Sequence, residues 1–466
     1  YGIIFDVPVA LIEILLNLEK SKSYFLIRHI IIFLIFFMSS IFFYKILIKR
    51  FPYHISVFGF LLYILTPRIF GDSFHNNKDI LFLSLLTIAL SFLFKLFYKT
   101  NNKNLILFCI FSALATSTRV MGLFLPILFI LFIFVEFLVN KKNIIFSLKL
   151  SAKTLFLFIF FLYLHYPYMW ELNIFEFYSW FKKFFYSMDL QILFNDKYYP
   201  IQYLPRSYLS TWIFISTPIF ITFLFLVGTV LMFKRLFKRI LNIKKEEIIN
   251  SDFWASSNEK KDFFILISFY SFLIYATLLN VAMLSGWRHF YFLHVFLIYI
   301  SIYGFYNLCL FFRGKTLSKF INFIMFFLII FLIRENIKFH PYQSLYFNTL
   351  ISSDYIKKFQ VDSPSLSRAD ALNQIIADNK KKKQIFVANA SWTPFYNGAD
   401  LLNEKFKDKF VFVGQEFRKA DYIYDNFIYK SAINRNDIFT ESKDFTILKK
   451  VVIDNVHIYS IYKKKK

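Results

Sequence analysis

The sequence predicts an all-α polytopic membrane domain of about ten or eleven spans at residues 1–336, followed by a small soluble α/β domain at 337–466. Three observations carry this reading. Apolar residues make up 57% of the chain, above the 45–50% usual for soluble domains. They gather in runs suited to crossing about 30 Å of hydrocarbon, which takes roughly 20 helical residues because every backbone group must be bonded internally there. After residue 336 the pattern changes to the charge density and alternation of a water-soluble fold.

Spans are expected near 24–44, 53–66, 80–98, 104–118, 121–139, 154–168, 209–233, 263–284, 288–312 and 318–336. Those at 53–66, 104–118 and 154–168 are short and are expected to extend into their flanks or to cross where the protein is thin. Residues 1–17 are apolar but carry Asp6, Pro8 and Glu13, which suits an interfacial segment better than a full span. The chain opens on Tyr1 rather than a methionine, so a preceding segment is expected to be missing. In the tail, 367–379 reads as an amphipathic helix, and 384–389, 409–414, 421–425 and 445–463 read as strands or strand pairs.

The net charge of +25 would suggest nucleic acid in a soluble protein. Here Lys and Arg cluster in alternate loops: Lys45 to Arg50, Lys95 to Lys103, Lys141 to Lys153, Lys234 to Lys245 and Arg313 to Lys319. By the positive-inside rule that side is cytoplasmic. The other side holds 67–79, the turn near 118–121, the long loop 169–208, the turn 285–288 and everything after about 336. The α/β domain is therefore expected outside the cytoplasm of a bacterial inner membrane. Cys109 and Cys309 both lie in apolar runs, so neither a disulfide framework nor a cysteine-based metal site can be built from them.

A charge inside a span costs about 2.5–3.5 kcal/mol on insertion scales, so unusual ones invite a functional reading. They collect on the external side. The loop TPRIFGDSFHNNKDI at 66–80 packs Arg68, Asp72, His75, Lys78 and Asp79 between two spans. A transferase at the membrane surface needs a carboxylate to take a proton from an acceptor hydroxyl and cations to hold a leaving phosphate. The same loop reads equally as a solvated turn with Asp79 capping the next span. Arg119 sits at a turn, where it could simply reach the interface. In GWRHFYFLH at 286–294, Arg288 and His289 open a span, and His294 lies deeper, where a histidine is usually a satisfied core residue. KFHPYQSLYFN at 338–348 suits an interfacial aromatic belt or substrate contact. Arg68, Lys78, Arg119 and Arg288 could together make a cationic cavity beside the lipid, suited to a polyprenyl phosphate, since the planar arginine fork bonds phosphate bidentately. The loop 169–208 is rich in aromatics, among them Tyr166, Tyr168 and Trp170 at its start, then Phe175, Trp180, Tyr198, Tyr199 and Tyr203. No P-loop, dinucleotide fingerprint, HExxH or GxSxG is present.

These clusters, in this order, resemble the GT-C superfamily of membrane glycosyltransferases, and within it the protein-mannosyltransferase-like family 39 and its bacterial relatives. YGIIFD at 1–6 resembles the end of the first external loop, TPRIFGDSFHNNKDI the proline–arginine turn with its Lys-Asp pair. ATSTRVMG, GWRHFYFL, HPYQSLYFN and VDSPSLSRADALNQI at 361–375 follow in the family's order. The resemblance implies an inverting transfer from a polyprenyl-phosphate-linked sugar to a hydroxyl on a glycan, lipid or protein acceptor. It implies Asp79 as a carboxylate that orients or assists, Lys78 and Arg288 on phosphate, and Arg119 and His289 at the other motif positions. Asp72 matches no family position, and its role stays open. The tail has Asp362, Ser363 and Pro364 where relatives usually show aromatics. The family's most diagnostic acidic motif would lie upstream of Tyr1. A divalent metal is used by some members and not by others. A polymerase or ligase of surface glycans would share the basic cavity. A transporter would place ionisable groups near the bilayer midplane, and the middles of these spans are almost free of charge.

Overall fold

The computed structural model describes residues 3–140, 144–167, 170, 190–242, 256–279, 281–312, 315–362, 364–379, 382–429 and 444–465. Helices dominate: α1 (Asp6–Leu15), α2 (Ser21–Ile48), α3 (Tyr53–Leu65), α4 (Pro67–Asp72), α5 (Asp79–Tyr98), α6 (Asn102–Thr118), α7 (Phe124–Asn140) and α8 (Ile144–His165). After the hairpin β1 (Gln191–Phe194) and β2 (Lys197–Pro200) come α9 (Tyr208–Ser216), α10 (Ile219–Asn242), α11 (Ser257–Leu278), α12 (Leu293–Phe311) and α13 (Lys315–Lys338). Eight described helices are long and apolar enough to cross a bilayer, and the chain is an integral membrane protein. The helices at 53–65 and 102–118 are shorter.

Burial separates centre from rim. The most apolar stretch of α5 is 89% buried and that of α12 is 72% buried, against 17% for α8 and 22% for α13, whose apolar outer faces suit lipid. Small residues let two backbones touch: a Cβ on Gly228 of α10 would meet the carbonyl of Ile300, and one on Gly304 of α12 would meet that of Leu224.

Three span boundaries differ from the sequence expectation. The run 209–233 is two helices, broken at Thr217 and Pro218, because proline cannot continue the hydrogen-bond ladder. Asn348 secures the break, its Nδ2 donating to the carbonyls of Phe214 (2.6 Å) and Thr217 (3.2 Å). The expected span 154–168 is α8, which starts ten residues earlier and takes the exposed Lys149 and Lys153 into the helix. The expected span 263–284 is α11, which includes Glu259, Lys260, Lys261 and Asp262.

Three of those buried charges are ion-paired, and the fourth, Lys261, donates to Asn258 Oδ1 at 3.3 Å and lies over the Tyr98 ring. Asp262 accepts from Arg50 Nη2 at 2.8 Å and from the Tyr299 hydroxyl at 2.7 Å. Glu259 accepts from Arg235 (3.0 Å) and Arg239 (3.1 Å), and Lys260 pairs with Glu136. Removing one member of such a network leaves a buried charge uncompensated. Asp262→Ala is therefore expected to destabilise the bundle by about 3–5 kcal/mol, read as a lowered melting temperature in detergent, with no change at the far end of the helices.

The strand-containing domain holds helix α14 (Arg368–Asp378) and a five-stranded sheet of β3 (Ile385–Asn389), β4 (Phe410–Phe412), β5 (Tyr422–Asp425), β6 (Phe445–Ile453) and β7 (Val456–Lys464) in the order β4-β3-β5-β7-β6. β3 pairs in parallel with β4 and β5, and β7 runs antiparallel to β5 and β6. Lys338 at the end of α13 pairs with Asp454 in the β6–β7 turn at 2.5 Å, and Lys407 reaches Ser21 at the start of α2 at 3.0 Å. The domain thus sits on the bundle end where α2 begins and α13 finishes. In the same turn region His457 has its imidazole pushed down to about 4 by burial and by Lys450. The unfolded chain takes up that proton below about pH 6.5, so stability is lost as pH falls from 6.5 towards 4. His457→Gln is expected to reduce this acid sensitivity, measured by melting temperature across that window.

Candidate active site

The site grows from the break between α3 and α4. Proline after Thr66 disfavours helical geometry there and suits the first position of a new helix, and Thr66 is extended at ψ 115°. The result is one short helix in which Arg68 and Asp72, four residues apart, share a face. Both are buried, at 5% and 4% exposure. Gly71 makes this seat possible. A Cβ there would lie 2.7 Å from Ser344 Oγ and nearer still to the Ser344 backbone nitrogen. Gly71→Ala is expected to lift α4, costing about 1–3 kcal/mol by overpacking and lowering activity with it, checked by a melting curve and an activity assay on the same sample.

Arg68 donates from Nη2 to the Tyr346 carbonyl at 3.1 Å, and its guanidinium lies 5.3 Å from the Trp212 ring. The Asp72 carboxylate accepts from the Tyr291 hydroxyl at 2.5 Å, and its other oxygen lies 3.1 Å from His75 Nε2. Arg68, Asp72, Trp212, Arg288 and Tyr291 line a narrow cleft, closed by Ser344 on one side and by Gln360, Val361 and Pro364 on another. Three of its donors, Arg68 Nε, Arg288 Nε and Ser344 Oγ, are buried without a hydrogen-bond partner among the described residues. Buried donors are normally satisfied, so a carboxylate and two guanidiniums here surround a space with unmet demand for an acceptor.

Asp79 lies outside that lining. It opens α5, where the helix dipole favours its charge. The cap is Asn76 rather than Asp79: Asn76 Oδ1 accepts from the Asp79 backbone N–H at 3.0 Å, and Asn76 Nδ2 donates back to the carboxylate at 3.1 Å. Arg119, extended at the end of α6, donates from Nη2 to Asp79 Oδ1 instead of reaching for the interface. His289 precedes the membrane-crossing part of α12. Burial pushes its imidazole down to about 4, with Asp79 opposing and Arg119 and Arg288 adding to the shift. His289 therefore lies within electrostatic reach of Asp79, Arg119 and Arg288. Lys78 lines a separate shallow cleft with Phe5, Asp6 and Thr118.

The structure thus gathers Arg68, Asp72 and Arg288 at one cavity, with His75 behind Asp72. It gathers Asp79, Arg119 and His289 beside it and places Lys78 in the next cleft. His294 donates from Nε2 to the Tyr63 carbonyl at 2.9 Å, as a satisfied core residue. Sequence reasoning missed Tyr291, Trp212, Ser344 and Gln360. Tyr291 stood within GWRHFYFLH, and Trp212 was hidden in an unbroken apolar run. Tyr168, Phe175 and Trp180 of the aromatic loop, and Tyr1, Gly2 and Ser363 of the resembling stretches, lie outside the described residues. Among the described residues no three His, Cys, Asp or Glu side chains come together as metal ligands.

No family model matches the chain. No curated protein matches it. Among solved structures it is similar to the crystal structure of ArnT from Cupriavidus metallidurans bound to undecaprenyl phosphate, with 11% sequence identity and a TM-score of 0.39, over 94% of this chain and 84% of that one.

Proposed function

We propose that the chain is an inverting membrane glycosyltransferase of the GT-C type, moving a sugar from a polyprenyl-phosphate donor to an acceptor hydroxyl on the extracytoplasmic face of a cell membrane. The observation that supports this most is the cleft itself. A buried carboxylate, Asp72, shares a narrow cleft with Arg68 and Arg288, each with a buried Nε that has no hydrogen-bond partner among the described residues. Glycosyl transfer from a lipid phosphate needs both functions within one site, on opposite faces of the sugar.

In this reading Asp72 takes the proton of the acceptor hydroxyl. The acceptor oxygen attacks the anomeric carbon from the side opposite the phosphate, forming the new glycosidic bond. The carbon–oxygen bond to phosphate breaks, and polyprenyl phosphate leaves with the electron pair, held by Arg68 and Arg288. Tyr291 and His75 orient Asp72. Asp79, Arg119 and His289 are positioning residues that fix the ends of α5 and α6 beside Arg288. Lys78 would meet the donor at the edge of the neighbouring cleft. Residues 337–466 form the extracytoplasmic domain, whose Gln360, Val361 and Pro364 close the cavity.

The test is the release of polyprenyl phosphate from a radiolabelled polyprenyl-phosphate sugar by full-length protein in nanodiscs supplied with membranes of its source cells as acceptor. Release that depends on both Asp72 and Arg288 is expected, with the transferred sugar inverted at its anomeric carbon. Release from an oligosaccharide on a lipid pyrophosphate alone would instead favour a glycan polymerase or ligase. Release unaffected by either substitution would remove the assignment.

A further inference from the structure

A larger cleft, of about 240 Å3, lies outside the bundle. Tyr198 of the β1–β2 hairpin, Phe359 and Val361 of the chain after α13, and Phe427, Tyr429 and His457 of the sheet domain form its walls. None of the described residues that line it belongs to a membrane-crossing helix. It abuts the candidate active site, because Val361 lines both cavities. Phe359, bridged to Phe194, lines the large cleft, and the next residue, Gln360, lines the small one. Side chains of an extended segment alternate in this way, so the wall between the cavities is one segment thick.

The lining mixes aromatic and aliphatic side chains with three polar groups, those of Lys357, Asn455 and His457. His457 packs on Phe427 at 4.3 Å between ring centroids, and its Nε2 lies 2.9 Å from Ser460 Oγ. With its imidazole held down to about 4, it is neutral at physiological pH and exchanges hydrogen bonds with neutral hydroxyls. Asn455 adds an amide. A saccharide presents C–H faces for such rings and hydroxyls for such polar groups. An acyl chain would have to leave the hydrocarbon to arrive here.

We propose that this cleft is the acceptor subsite and that it binds the saccharide part of the acceptor, presenting one hydroxyl past Val361 towards Asp72. This rests on the glycosyltransferase reading of the neighbouring cavity. The experiment places p-benzoylphenylalanine at position 198 or, separately, at position 360 of the full chain in membranes of its source cells, followed by irradiation. At position 198 the expected adduct carries a periodate-oxidisable saccharide. It falls about tenfold, equivalent to 1.4 kcal/mol, when Phe427→Ala and His457→Ala are combined, while the adduct at position 360 is unchanged and reports an intact fold. An adduct at 198 without saccharide, or none, overturns the proposal. Capture of polyprenyl phosphate at 360 with no saccharide at 198 leaves the glycosyltransferase reading standing, whereas capture of neither removes both.

Discussion

Asp72→Asn is expected to slow sugar transfer about 10²–10⁴-fold, the range for loss of a general base, while donor affinity stays within about twofold of the parent. Asparagine keeps the shape of the side chain and an oxygen for the Tyr291 hydroxyl, which sits 2.5 Å from the carboxylate. What it lacks is a basic oxygen for the acceptor proton. Asp79→Asn makes the contrast. The Asp79 carboxylate is already engaged by Arg119 and by Asn76, and it does not line the cleft. Its substitution weakens the junction of α5 and α6 and is expected to lower stability more than the chemical step. Single-turnover transfer with donor binding measured separately distinguishes the two. A larger rate loss for Asp79→Asn than for Asp72→Asn would move the base to Asp79.

The contrast also shows where the sequence stops being informative. Arg68, Asp72, His75, Lys78 and Asp79 are visible as one charged loop because they are close in the chain. Their division between two sites is not, because it depends on Pro67 starting a helix that turns Arg68 and Asp72 to one side. The partners that decide their roles lie far away in sequence: Tyr291 is 219 residues from Asp72, and Tyr346 is 278 from Arg68. No periodicity encodes such a pairing. Helices and strands were legible because burial on one face imposes a period, as at Arg368–Asp378 and Ile385–Asn389. The start of α11 was not, because Glu259 to Asp262 read as a loop until their partners on α7, α10 and the α2–α3 turn are seen. Lys149 and Lys153 misled in the same way, since exposed lysines near a helix end can reach the interface from inside the helix.

Arg288→Ala is expected to lower kcat about 10²–10³-fold, the usual loss for one donor aimed at developing charge, with a smaller rise in the donor KM. In the proposed reaction the donor is a phosphodiester with one negative charge, and the departing polyprenyl phosphate is a monoester that gains a second. A guanidinium beside the leaving oxygen therefore acts more strongly in the transition state than in the ground state, and such differential binding appears in kcat. Arg288 Nε is buried and unpartnered among the described residues, so it can turn to that oxygen without surrendering a bond. Arg68 is less free, with Nη2 committed to the Tyr346 carbonyl, and Arg68→Ala is expected to lower the melting temperature as well as kcat. Arg288→Lys is expected to recover part of the loss, since it restores the charge without the planar fork. A rise in donor KM with kcat unchanged would instead assign Arg288 to holding the donor before the bond breaks.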